Sequence, residues 1–412
     1  MSEQNKQVPR LRFPGFTDAW VKYELSELAK FSKGRGYSKS DLVKAGYPII
    51  LYGRLYTNYE TTISTVTDTF VSADLNSIKS EIGDVIVPGS GETAEDISRA
   101  STIDISGIIL GGDLNIIKPD KQVLDSIFLA ITISNGSQQR ELTKRAQGKS
   151  VVHLHNSDLE RILVYLPSKN EQTKIGNFFT KLDKVITVNE RELNKLKNLK
   201  KSYLEKMFPK NGSNIPELRF SGYTDAWVKC ELGDVAEIVG GGTPSTSILE
   251  YWNGEINWYS PVEIGNQIYV SSSQNKITKL GLEKSSAKIL PAYKTILFTS
   301  RAGIGNTAIM TTNGATNQGF QSLVIKEKTD LYFLYSISSK IKEMALQIAS
   351  GSTFLEISGK SLSRLEILVP NFEEQTKIGK FFQHLDNLIT VNERELKKLK
   401  ELKKSYLNDM FV

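Results

Sequence analysis

Cysteine is almost missing from this chain: Cys230 stands alone among 412 residues. A single thiol excludes an internal disulfide and a thiolate metal cluster. No uninterrupted apolar run reaches the roughly 18 residues that cross a bilayer. The opening MSEQNKQVPR has no apolar segment of the signal-peptide kind. These absences lead to the expectation of a cytoplasmic protein. Histidine is nearly as scarce. His153 and His155 alternate as on a strand but lack the further partners of a metal site, and His384 stands where the other half of the chain has Lys181. No metal is expected.

Most informative among the features present is repetition. LRFPGFTDAWVKYEL fills 11–25 and LRFSGYTDAWVKCEL fills 218–232, identical at 12 of 15 positions, with an offset of 207. A second pair follows. EQTKIGNFFTKLDKVITVNERELNKLKNLKKSYLEKMF (171–208) and EQTKIGKFFQHLDNLITVNERELKKLKELKKSYLNDMF (374–411) match at 29 of 38 positions, with an offset of 203. The chain is therefore a tandem duplication, about 11–208 and 218–411, with shared openings, shared endings and middles that differ in length by 207 − 203 = 4 residues. The middles show no convincing alignment.

The endings carry a heptad stripe. Ile175, Phe179, Leu182, Ile186, Asn189, Leu193, Leu196, Lys200, Tyr203 and Met207 follow steps of four and three, and Ile378, Phe382, Leu385, Ile389, Asn392, Leu396, Leu399, Lys403, Tyr406 and Met410 repeat them. That spacing predicts two long helices pairing through a coiled-coil seam. At 1.5 Å per residue, 38 helical residues make a rod of about 57 Å. The stripe alone leaves parallel and antiparallel pairing open. Asn189 and Asn392 interrupt it, either as register-fixing polar groups within the seam or as residues turned to its rim.

Each middle offers short β-like runs and then a helix: YPIILYG, DVIVPGS, GIILGGDLNIIKP and ERILVYLP in the first, GEINWYSPVEI, KTILFTSRAGIGNTAIM, FQSLVIK and LEILVP in the second. The helix DSIFLAITISNGSQQRELTKRA is expected to break near Asn135-Gly136. Such an order indicates α+β domains.

Catalytic signatures are absent. There is no GxxxxGK[ST] loop, and GSGE at 89–92 is no nucleophile elbow. GGGTPS (240–245) and RAGIGNTA (301–308) do not spell a dinucleotide fingerprint and read as turns near a ligand backbone. No Asn-Pro-Pro-aromatic tetrapeptide of the adenine-methylating kind occurs. The chain reads as non-catalytic. What the middles do carry is a density of Arg, Lys, Asn, Gln and aromatic residues on glycine-rich loops. In the first these are Lys33, Arg35, Tyr37, Arg54, Arg145, Gln147 and Lys149. In the second they are Thr243, Ser245, Trp258, Tyr259, Arg301, Asn306, Asn317 and Gln318. Arginine pairs bidentately with guanine, Asn or Gln with adenine, and Lys with phosphate, so these residues are candidates for DNA contact. Of the net charge of +6, residues 190–206 hold six basic and three acidic groups and 393–409 six and four, so 3 + 2 = 5 lies on the helices. The middles are then nearly neutral overall, and a phosphate grip needs either a concentrated basic face or help from other subunits.

The openings LRFxGxTDAW, the helix starts EQTKIGxFFxxLDxxI, and GGTPSTSILEYWNGEINWYSP, RAGIGNTAI, NQGFQSL and GGDLNIIKP resemble the specificity subunits of type I restriction-modification systems over nearly the whole chain. The resemblance implies a target-recognition domain at 1–168, a spacer helix at 169–209, a linker at 210–217, a second target-recognition domain at 218–371 and a second spacer helix at 372–412. It implies antiparallel helix pairing, one half of a split double-stranded DNA target per domain, and docking of two methyltransferase subunits that methylate adenine N6. Restriction/translocase subunits would join for cleavage. S-adenosylmethionine, ATP and Mg would belong to those partners. A non-catalytic coiled-coil scaffold and a single-strand nucleic-acid binder using Trp and Tyr as stacking platforms are the alternatives.

Overall fold

The computed structural model describes residues 8–74, 76–146, 148, 151–210, 212–265, 267–301, 303–351 and 355–411. The chain divides into two compact units: unit 1 is Met1–Arg191 with Arg394–Val412, and unit 2 is Glu192–Glu393. Both divisions fall inside the two long helices, Lys169–Lys206 and Phe372–Asp409, each 38 residues long. Among the described residues no helix is long and apolar enough to cross a membrane.

Unit 1 is built on a five-stranded sheet in the spatial order Ala29–Lys33, Leu114–Pro119, Val85–Pro88, Ser101–Ile103, Thr62–Ile63. All its pairs are antiparallel except the last, which is parallel. Unit 2 repeats the pattern with Ala236–Gly240, Gln321–Ile325, Thr295–Phe298, Thr307–Met310 and Tyr269–Val270, again with only the last pair parallel. Middles that cannot be aligned as text therefore fold to one topology. Each unit also has a smaller sheet, of four strands in unit 1 and three in unit 2. A two-stranded ribbon closes each globule: Val21–Glu24 on Leu163–Leu166, and Val228–Glu231 on Glu366–Val369.

The expected helix in each middle is a broken pair. Ser126–Ile133 and Gly136–Arg145 are separated at Asn135-Gly136, where Gly136 takes φ 68°. Leu331–Ser336 and Ser338–Ile348 are the counterparts. Asp125 caps the first, its side chain accepting from the Ile127 and Phe128 amides; Asp330 accepts from the Phe333 amide. Each Asp then donates its own amide to the start of a long helix, to Gln172 Oε1 at 2.9 Å and Gln375 Oε1 at 3.1 Å. A Cβ on Gly379 would lie 2.1 Å from Asp330 Oδ1, so the glycine of EQTKIG permits this approach.

The repeated openings and endings were copied together because they hold each other. Arg12 grips Glu171 through Nε at 2.8 Å and Nη2 at 2.6 Å; Arg219 grips Glu374 through the same atoms, both at 2.7 Å. Trp20 stands edge-on to Phe128 and Phe411, and Trp227 to Phe208. Each aromatic cluster joins the opening of its own unit to the far end of a long helix.

Helix pairing is read within each unit. In unit 1, Phe178 meets Tyr406 at 5.0 Å between ring centroids, Asp183 meets Lys403 at 2.5 Å and Glu190 meets Lys400 at 2.6 Å. Numbers rise along one helix as they fall along the other, so the pairing is antiparallel. Unit 2 repeats it with Phe381–Tyr203 at 4.9 Å, Asp386–Lys200 at 2.5 Å and Glu393–Lys197 at 2.6 Å. Along the stripe Ile175, Phe179, Ile186, Leu193, Ile378, Phe382, Leu385, Ile389 and Leu396 are buried, while Leu182, Leu196 and Leu399 are half-buried. The lysines within the stripe are answered by aspartates on the opposing helix.

The two asparagines sit at the rim. Asn189 donates to the Val185 carbonyl and Asn392 to the Leu388 carbonyl, each at 2.8 Å and each on its own helix. Neither amide is committed to the seam. Replacing both by leucine is therefore expected to change unfolding free energy by less than about 1 kcal/mol, read by thermal melting. A gain of several kcal/mol, or a change in assembly state, would instead make them register-fixing groups.

Candidate nucleic-acid interface

One corner of the five-stranded sheet gathers most of the candidate side chains in unit 2. Gly240 lies opposite Gln321, and Thr299 bridges Phe320. The chain leaves the sheet at that corner in three loops, 241–248, 299–306 and 316–320. They cross at backbone distance: the Gly242 amide donates to Thr316 O at 2.8 Å, and the Ser300 amide to Gly319 O at 2.8 Å. A Cβ on Gly241 would lie 1.9 Å from Asn317 O, which is why GGGTPS needs glycine there. At the surface Thr243 donates to Gln318 Oε1, and Ser245 is exposed beside them. Arg301 is half-buried and makes no ion pair among the described residues. Asn317 turns its carbonyl oxygen back to the Gly319 amide at 2.8 Å, and Asn306 accepts from Lys342 Nζ at 3.2 Å.

Unit 1 presents the same corner with different residues. The Gly34 amide donates to Leu114 O at 2.9 Å, the Arg35 amide to Leu110 O at 3.0 Å and the Gly89 amide to Asp113 O at 2.6 Å. A Cβ on Gly34 would lie 1.9 Å from Gly111 O. Lys33 and Arg35 are exposed here. Tyr37, at φ 55°, is half-buried and donates its hydroxyl to Ala73 O at 2.8 Å. Arg145 lies at the end of its helix, tied to Glu141 at 3.1 Å. Lys149 and Gln147 lie outside the described residues.

Three candidates are corrected by burial. Tyr259 is 0% exposed and Trp258 6%. They end the strand Trp252–Tyr259, whose last three residues are buried on both faces. Trp258 packs with Ile277, Ala287 and Ala315, and Tyr259 with Val239, Leu297 and Phe320. The Trp258 indole donates to Gly242 O at 2.8 Å and so supports the loop below Thr243. Burial also raises the pKa of the Tyr259 hydroxyl. Arg54 is 6% exposed, with Nε 3.1 Å from both Asp68 oxygens and Nη2 2.8 Å from Glu60. Its charge is spent inside the protein. Two histidines set aside as metal ligands in the sequence lie close to the unit 1 corner, where the Asn156 side chain donates to Ser32 O at 3.0 Å. His153 pairs with Ser90 across a short antiparallel ladder, and its ring lies parallel to that of His155, 6.5 Å away, with both side chains exposed. Their alternation was visible, but nothing in the sequence placed this segment next to the strand Ala29–Lys33.

The sequence model of the type I restriction modification DNA specificity domain matches residues 17–198 and 224–401. The chain belongs to that family. Its relatives include the putative type I restriction enzyme MjaX specificity subunit of Methanocaldococcus jannaschii, 24% identical over 94% of this chain and 92% of the relative. The MjaIX specificity subunit of the same organism is 35% identical over 45% of this chain, a match spanning 44% of that protein. The EcoR124I/EcoR124II specificity subunit of Escherichia coli is 30% identical over 38% of this chain and 40% of its own length. Among solved structures, the type I restriction-modification S subunit of M. genitalium superposes with a TM-score of 0.66 at 17% identity, covering 98% of this chain and 99% of that one. At that identity the likeness is one of fold.

Within this family the chain is a DNA specificity subunit, with a recognition role and no catalytic one.

Proposed function

We propose that each unit reads one half of a bipartite duplex DNA target through its sheet corner, that the long helices set the spacer, and that the repeated surfaces dock two methyltransferase subunits which methylate adenine N6. Restriction subunits join this assembly for cleavage, and S-adenosylmethionine, ATP and Mg are held by the partner chains.

The observation that carries this reading is that two units of one topology present equivalent corners with unlike polar residues. Lys33 and Arg35 stand in one, Thr243, Gln318 and Arg301 in the other. One scaffold with two sets of hydrogen-bonding groups suits two different half-sites. Half-sites about one duplex turn apart, roughly 34–36 Å, would lie on one side of the helix. A scaffold without recognition would leave the unlike corners unexplained. The stacking-platform alternative loses two of its aromatics, Trp258 and Tyr259, to the core.

Sequencing of methylated adenines in cells with and without this chain tests the reading. A split motif should be methylated only when the chain is present. An unchanged methylation pattern would overturn it.

A further inference from the structure

Leu249 and Val262 are the most exposed large hydrophobic side chains among the described residues, at 81% and 86%. Single exposed apolar residues are ordinary. These two are not scattered, because each sits on a short turn that touches a loop of the polar corner of unit 2. Val262 tips the turn Pro261–Glu263, and a Cβ on Gly319, next to Gln318, would lie 2.6 Å from Pro261 Cγ. Leu249 begins the turn Leu249–Tyr251, which the Ile248 amide ties to Ser245 O at 3.4 Å.

Both turns are braced from below. Glu263 accepts from the Ser260 amide at 2.8 Å and the Gln274 amide at 2.7 Å. The Trp252 indole donates to Ser245 O at 3.0 Å, and Thr278 donates to Glu250 O at 2.8 Å. The fold thus spends hydrogen bonds on holding two apolar side chains out in water beside Thr243 and Gln318. The edge of a base pair in the major groove offers one apolar feature, the thymine 5-methyl group. Hydrogen-bonding groups with rigid apolar posts beside them match a half-site in which thymines accompany bases read by polar contact.

We propose that Leu249 and Val262 read thymine methyl groups in the half-site bound by unit 2; this rests on the DNA-reading role of that corner. Both residues are specificity determinants, and neither appeared among the polar candidates in the sequence.

The test uses the full chain assembled with its methyltransferase subunits, on duplexes whose recognised thymines are replaced one at a time by deoxyuridine. Only the methyl group is lost. At one or more positions in one half-site the unsubstituted chain should bind about fourfold more weakly for each buried methyl forfeited. In Val262→Ser or Leu249→Ser that penalty should vanish at the matching position, while melting of the variant is unchanged. Absence of any deoxyuridine effect, or an equal effect in variants and parent, would overturn the proposal. So would loss of subunit assembly with deoxyuridine sensitivity intact, which would make the posts a protein contact. If Gln318→Ala and Arg301→Ala leave both affinity and recognised sequence unchanged, the corner does not read DNA and the proposal falls with the broader reading.

Discussion

Glu374→Ala is expected to cost about 3–5 kcal/mol of stability, measured by urea unfolding of the full chain, because it strands a buried guanidinium. The Glu374 side chain is fully buried and Arg219 nearly so, and the two are joined by parallel bonds of 2.7 Å. The Arg219 Nη1 atom is buried with no partner among the described residues, so the carboxylate is its main compensation. The bond to Glu374 is the largest effect raising the arginine's pKa, so the charge cannot be shed. Glu374 also lies in the first turn of its helix, where a negative charge favours the dipole. The double replacement Arg219→Met with Glu374→Leu should recover most of the loss, since an apolar pair of similar volume leaves no charge stranded. A single-variant loss below about 1 kcal/mol would show that water reaches the pair and that the repeated blocks are held together by the Trp227–Phe208 cluster instead.

That pair explains which parts of this protein were legible in its sequence. Arg12 with Glu171 and Arg219 with Glu374 preserve both copies of the blocks, because a change on one side alone leaves a buried charge. The heptads were legible for a related reason: a seam tolerates few residue types. The middles were opaque because many apolar sets satisfy one strand order. Val85, Ile86 and Val87 fill the central strand in unit 1 and Ile296, Leu297 and Phe298 in unit 2. What survives between the middles is the capping geometry, Asp125 with Gln172 and Asp330 with Gln375.

At the candidate site, residue type was legible and burial was not. Arg54 looked like a free cation and proved to be the centre of a carboxylate pair. Trp258 and Tyr259 looked like loop aromatics because Asn, Gly and Ser surround them, but they enter two different core clusters at the buried end of their strand. Leu249 and Val262 drew no notice because apolar residues are assigned to the core by default, and only the fold puts them outside it.

Inserting one heptad into both long helices, after Asn189 and after Asn392, should alter the preferred spacer of the methylated motif and leave both half-sites unchanged. Seven helical residues lengthen each helix by about 10 Å, which corresponds to roughly three base pairs of duplex. The insertion keeps the a/d stripe in phase, so Ile175 to Ile186 and Ile378 to Ile389 retain their seam positions. It also leaves the corners untouched, since Lys33, Arg35, Thr243 and Gln318 stand on sheet loops far from the insertion in sequence. A two-residue insertion is the discriminating control. It rotates the stripe by about 200°, opposes apolar to polar positions, and should lower the melting temperature. If the heptad variant folds, methylates DNA and keeps the original spacer, then spacing is set by the partner subunits and not by these helices. If its half-sites change as well, the corners and the helices are not independent, and the division of labour proposed for them is wrong.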